Sequence, residues 1–313
     1  MIRRAGRAIG AGLLALAPAA GAVAQVPSPR ATASTNVAVD TAALHAVLDS
    51  LADAHRGVVG YTVRDLDRGA MLSRRGDETF PTASLIKVPI LVTVFDLVEQ
   101  GRLHLDDELT MLAIDKVPGS GVIRYLHDGA RFTVRDAAWL MSTLSDNTAT
   151  NLLLDRILIR RVWDKMEALG LEHTKVHAKV FLRASSVAMD SSVKYGLGVT
   201  TPNEMSTLFA LLAEGKAVSP AADSAMIDIL AHNEDRQMLV RYLDGVRVAH
   251  KTGADSEVRT DCGLFFLSSR VVACVLTREN VDQRWLMDNE PQLLMARMGD
   301  AIARAWGPAT PGR

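Results

Sequence analysis

The chain has 313 residues, with 35 Lys and Arg against 36 Asp and Glu, and a formal net charge of −1. Its charges are interspersed, which excludes the basic footprint of a nucleic-acid binder. With 48% hydrophobic residues it can bury one large core or two lobes.

The first 24 residues read as a secretory signal. Arg3, Arg4 and Arg7 precede an apolar run from Ile9 to Ala20, and Ala22-Val-Ala24 is a small-x-small cleavage site. The run falls short of the roughly 20 residues that span a bilayer. Cleavage near Ala24 and export to the periplasm or medium are therefore expected, with no membrane span left in the mature chain. Residues 25–40, polar and Pro-containing, form a disordered lead-in.

A helix is predicted from Thr41 to Ala54, with Leu44, Val47, Leu48 and Leu51 on one stripe. Strands follow near Val58–Asp65 and Ala70–Arg74. The segment from Ser84 to Gln100 is apolar on nearly every side, which marks a buried helix. Pro89 predicts a bend or an irregular first turn there. Thr133 caps a helix that ends near Leu144, with Asp136 at its positive end. Helices over Asn147–Ile157 and Arg161–Leu169 come next. Thr201-Pro-Asn-Glu204 reads as a capping box that opens a helix stopped by Gly215. Another helix spans Ala221–Ala231.

Three antiparallel strands are predicted over Val246–Thr252, Arg259–Ser268 and Val271–Thr277, and a last helix over Gln283–Trp306. Cys262 and Cys274 fall on one face of the last hairpin if both strands are regular. Export permits a disulfide. Two buried apolar residues is the simpler reading, because cross-strand bridges need specific geometry. The N- and C-terminal thirds would thus share one antiparallel sheet with a helical block inserted between them. This is an α+β, two-lobed architecture whose cleft is a favoured place for a site. The α/β lobe takes about 41–80 and 216–306, the helical lobe about 81–215, and 307–313 form a tail.

Three strings carry chemistry: Ser84-Leu-Ile-Lys87, Ser145-Asp-Asn147 and Lys251-Thr-Gly253, 61 and 106 residues apart. A serine hydroxyl needs a base to take its proton. A lysine three positions on along a helix lies on the same face. Burial and a second nearby cation would favour its neutral, basic form. The backbone N–H groups at Ser84 can face a developing oxyanion. A second Ser-x-x-Lys, Ser191–Lys194, falls in a polar loop with no apolar helix behind it, so it reads as accidental. Ser145, Asp146 and Asn147 alone would read as a capping turn, and Lys251 alone as a solvated strand end. His173 and His177 stand four apart with no Glu between them, which disfavours a zinc hydrolase of that type. No metal or cofactor is expected.

Taken together, the strings resemble the active site of penicillin-recognising serine enzymes, class A β-lactamases above all. Gly119-Ser-Gly-Val122, Leu144-Ser-Asp-Asn-Thr-Ala-Thr-Asn151 and Val248-Ala-His-Lys-Thr-Gly253 extend the likeness, which covers about residues 42 to 306. It implies a β-lactamase/transpeptidase-like fold, an antiparallel sheet flanked by helices with an inserted helical lobe. It implies Ser84 as nucleophile, Lys87 as base, Ser145 as proton shuttle and Lys251 as an electrostatic catalyst. The backbone N–H groups of Ser84 and Ala254 would form the oxyanion hole. Asn147, Thr252, Gly253 and Arg259 would contact substrate, with Asp146 a brace. Arg259 could equally make a surface ion pair. The substrate would be a β-lactam or a peptidoglycan-like peptide, taken by a monomer.

One departure stands out. Class A β-lactamases set a water-activating glutamate in a Glu-x-x-Leu-Asn string, and this chain has none. Following the likeness from Leu169-Gly170 through Thr174-Lys-Val176, the glutamate's place falls near Val180. The segment from His177 to Gly198 is longer than usual and holds one carboxylate, Asp190, with Glu172 upstream. Either acyl-enzymes form and hydrolyse slowly, or Asp190, another residue or Lys87 activates water. A serine β-lactamase-like hydrolase is expected. A D-alanyl-D-alanine carboxypeptidase or small-ester hydrolase would use the same residues, and a non-catalytic sensor is a further alternative.

Overall fold

A computed structural model describes residues 39–307. The expected signal segment, most of the lead-in and the C-terminal tail lie outside the described residues. The N-terminal third gives helix α1 (Thr41–Asp53), strands β1 (Val58–Asp65) and β2 (Met71–Arg74), and a short β3 (Phe80–Pro81). A 3-10 turn over Ala83–Ile86 leads into α2 (Lys87–Glu99), so Pro89 sits in the first turn of the α-helix, where a missing N–H costs little.

The middle block holds a hairpin, β4 (Glu108–Met111) and β5 (Ala130–Thr133), then α3 (Val134–Thr143), α4 (Asn147–Ile157) and α5 (Ile159–Ala168). β6 (Lys175–Val176), α6 (Met189–Tyr195) and β7 (Gly198–Thr200) follow, before α7 (Pro202–Ala213) and α8 (Pro220–Ala231). The last third is β8 (Val248–Asp255), β9 (Val258–Phe266), β10 (Arg270–Arg278) and α9 (Glu290–Trp306).

The main sheet runs β2-β1-β10-β9-β8, so the two ends of the chain meet through antiparallel β1 and β10. Both faces are covered, and the strands read as nearly unbroken apolar runs for that reason. Alternate residues serve the two sides. Tyr61, Val63, Val271 and Val275 pack with Leu44 and Leu48 of α1 and Met298 and Ile302 of α9. Leu264, Val272 and Leu276 pack with Met205, Leu208 and Phe209 of α7 in the core that also takes in α2. Each such side chain contributes about 1.5–3 kcal/mol on burial. α2 is buried all round, as its composition predicts.

Several local expectations are corrected. The last helix starts at Glu290 rather than Gln283. Pro291 is tolerated only in a first turn, and the Asp282 carboxylate accepts the Glu290 N–H at 2.9 Å, fixing the irregular segment before it. Glu204 does not complete a capping box. Thr201 accepts its N–H at 3.1 Å, but the Glu204 carboxylate turns to the His173 N–H at 2.9 Å and the Thr174 hydroxyl at 2.6 Å. Ser191–Lys194 lies on the short helix α6, with Ser192 buried, not in a loop. Cys262 and Cys274 stand directly opposite each other on β9 and β10 and are joined in a disulfide.

Candidate active site

Ser84 sits in the 3-10 turn that opens α2, behind Ala83 at φ +44°, a strained value for a residue with a Cβ. The turn is pressed against β8, the edge strand of the sheet. Gly253 makes this approach possible: a Cβ there would lie 2.4 Å from the Thr82 carbonyl oxygen and 2.8 Å from the Leu85 nitrogen. The Thr260 hydroxyl on β9 also donates to the Thr82 carbonyl at 2.8 Å. The glycine therefore seats the Ser84 turn on the strand.

Lys87 follows on the first turn of α2 and is 1% exposed. Its Nζ donates to the Ser145 carbonyl at 2.7 Å, the Ser145 hydroxyl at 3.1 Å and the Asn147 side-chain oxygen at 2.8 Å. No hydrogen bond joins it to the Ser84 hydroxyl, as is common before substrate tightens such contacts. Burial, and then the charge of Lys251, push the Lys87 amine well below the usual lysine range, while the Asp146 carboxylate opposes them. Lys251 is equally buried, and burial lowers it to about 8 against the pull of Asp235 and Asp261.

The Ser145-Asp-Asn147 turn is strained too, with Ser145 at φ +53°. Asp146 holds it. One carboxylate oxygen caps α4 through the Ala149 N–H at 2.9 Å, and the other accepts the N–H groups of Val122 at 2.6 Å and Ile123 at 3.0 Å. This locks the 117–123 loop to the start of α4. In that loop the Ser120 hydroxyl donates to the Ser145 carbonyl at 2.7 Å, and Asn147 Nδ2 donates to the Pro118 carbonyl at 3.0 Å.

Ser84, Ser145, Asn147, Thr252, Gly253 and Ala254 line one cleft of about 840 Å³. Lys87 and Lys251 lie buried directly behind them. Arg259 is the exception among the expected residues. It is fully buried, and its guanidinium donates to the carbonyls of Val258 at 2.8 Å and Arg284 at 3.3 Å and to that of Asp255. Trp285 stacks on it at 4.6 Å and takes its place in the cleft lining. Arg259 makes no surface ion pair either, because its strand position points under the 282–289 segment.

Sequence reasoning missed Asp235, which lines the cleft and accepts the Thr252 hydroxyl at 2.7 Å. It also missed Asn151, whose side chain grips Val180, accepting its N–H at 2.8 Å and donating to its carbonyl at 3.0 Å. Asn151 lies one helical turn from Asn147 on α4, an (i, i+4) relation that was available as a signal.

Val180 is buried and forms part of the far wall of the cleft. Asp190 and Glu172 are exposed and do not line it. The carboxylates that do, Asp235 and Asp255, flank the β8 side. Lys179 beside Val180 pairs with Asp155 at 2.8 Å. His173 and His177 have separate partners, Glu204 and the Gly196 carbonyl, and no group suited to hold a metal occurs among the described residues. Among those residues, no helix is long and apolar enough to cross a membrane.

Comparison with known proteins agrees with this geometry. The sequence profile of the Beta-lactamase enzyme family matches residues 43–306. β-Lactamase L2 of Stenotrophomonas maltophilia is 28% identical over 261 residues, which are 79% of this chain and 80% of that protein. The crystal structure of a β-lactamase from Sphaerobacter thermophilus is 30% identical with a TM-score of 0.76, covering 86% of this chain and 99% of its own. The structure of PBP-A is 27% identical with a TM-score of 0.74, covering 85% and 96%. A leucine-to-glutamate variant of PBP-A, solved as an acyl-enzyme with penicillin G, matches equally well. With a serine turn, two buried lysines and the Ser145-Asp-Asn147 turn around one cleft, the chain belongs to the β-lactamase enzyme family and is a serine hydrolase of that family.

Proposed function

We propose that the protein opens β-lactam rings through an acyl-enzyme on Ser84 and releases the product slowly. The observation that carries this reading is Lys87, fully buried and hydrogen-bonded to Ser145 and Asn147 one turn from Ser84. Neutral Lys87 would take the Ser84 proton as the hydroxyl oxygen attacks the ring carbonyl. The oxyanion that forms would be held by the backbone N–H groups of Ser84 and Ala254. As the ring C–N bond breaks, the Ser145 hydroxyl passes its proton to the leaving nitrogen and is resupplied by Lys87. Lys251 and the Thr252 hydroxyl would draw the substrate carboxylate, and Asn147 would meet the side-chain amide.

Slow release is supported by the far wall. A buried, apolar Val180, tied by Asn151, holds no group that can take a proton from water. The same feature and the likeness to PBP-A favour a second reading, a penicillin-binding peptidase that β-lactams trap. Export is supported by the N-terminal pattern.

The test is a labelled penicillin followed by peptide mapping. The adduct is expected on Ser84; an adduct elsewhere, or none, overturns the reading.

A further inference from the structure

We infer that Phe181 selects the substrate by offering a flat aromatic face to the acyl side chain, next to the Asn147 amide. The inference rests on the acyl-transfer reading above.

Phe181 is 64% exposed although it is a large aromatic, and it lines the cleft. Its backbone sits at φ +57°, an outlying value for a bulky residue. Such strain persists only where neighbours impose it. Here the residue before it is tied through both backbone groups to Asn151. The residue after it is tied by the Ser185 hydroxyl, which donates to the Leu182 carbonyl at 2.6 Å. The backbone at Phe181 is therefore held on both sides at a cost in energy, and its largely exposed side chain lines the cleft.

Gly119 locates that face. A Cβ at Gly119 would lie 2.6 Å from Asn147 Nδ2 and 3.0 Å from the Phe181 ring. The amide and the ring therefore flank the same spot. A substrate whose side-chain amide meets Asn147 has its next atoms directed onto Phe181. Trp285, the other aromatic in the cleft lining, is stacked on Arg259 of β9 and serves the β8 side. The substrate class that fits the Phe181 side is an acylated amine whose acyl group is aromatic or otherwise flat and apolar.

The experiment compares wild type, Phe181→Ala and Phe181→Tyr with benzylpenicillin and with a penicillin whose side chain is only a methyl group. Intact mass gives the second-order acylation rate constant for each pair. Wild type and Phe181→Tyr are expected to favour benzylpenicillin by about three- to tenfold, the range of an aromatic contact. Phe181→Ala should bring that ratio close to one. An unchanged ratio in Phe181→Ala overturns the inference while leaving acylation intact. Wild type that neither forms an adduct with nor consumes either penicillin overturns the acyl-transfer reading, and this inference with it.

Discussion

The two walls of the cleft are built on opposite terms. On the wall formed by α2, α4 and β8, polar groups are buried and answered: Lys87 by Ser145 and Asn147, Asp146 by backbone N–H groups of the 117–123 loop. On the wall formed by residues 177–198, Val180 and Phe181 face the cleft beside Lys179, Arg183 and Ser192; Asn151 ties the Val180 backbone, and Lys179 pairs with Asp155. The proposed proton transfers belong to the first wall, where Lys87 is kept out of water and lies 3.1 Å from the Ser145 hydroxyl. The second places Val180 where the glutamate was expected and puts no carboxylate into the cleft lining. On the proposed reading, acylation and deacylation depend on different pieces of chain, and one can be present without the other.

The sharpest way to break that contrast is at Lys87. Lys87→Ala should slow acylation about 10²–10⁴-fold, the usual share of a general base, as read from adduct formation. An unchanged rate would remove the first wall's role. Val180→Glu should do the reverse for the second wall, speeding acyl-enzyme decay about 10²-fold in steady-state turnover of a chromogenic cephalosporin. If turnover does not rise, the missing carboxylate is not what limits release.

Asp146→Ala tests the brace rather than the chemistry. It removes a helix cap and strands the N–H groups of Val122 and Ile123, the second of them buried, so denaturant unfolding should show a loss of about 2–3 kcal/mol.

The smallest effect is in pH. Lys251 loses its proton at about 8, so its attraction for a substrate carboxylate is present below that pH and fades above it. Acylation by a penicillin should fall about tenfold across the alkaline limb, and Lys251→Arg should move the limb upward. The linkage has the opposite sign. The folded lysine is lowered below its unfolded value of about 10.4, so the unfolded chain binds more protons between pH 8 and that value. Stability should therefore rise with pH over this window until Tyr61, whose folded value is raised by burial and Asp49, reverses the trend above about pH 10.

The first wall was legible in the sequence and the second was not. Ser84, Lys87, Ser145 and Lys251 could be picked out as candidates because such chemistry needs these residue types, and the Ser84–Lys87 spacing matches one helical turn. The main strands were legible because alternating apolar residues reach both covered faces. Val180 was located only as a gap, since nothing in its neighbours announces a fold tied by one distant asparagine side chain. Arg259 read as a substrate contact because its strand position is local information. Whether it faces solvent depends on Trp285 and the 282–289 segment, which come from far along the chain. Glu204 was misread for the same reason: its partners, His173 and Thr174, lie 31 and 30 residues away.

Time-resolved intact mass of the protein with a penicillin tests the contrast between the walls most directly. The expected result is stoichiometric mass gain that forms quickly, persists, and is lost in Ser84→Ala. Rapid turnover with no accumulated adduct would contradict it, because a group other than the one at Val180 would then be activating water for release.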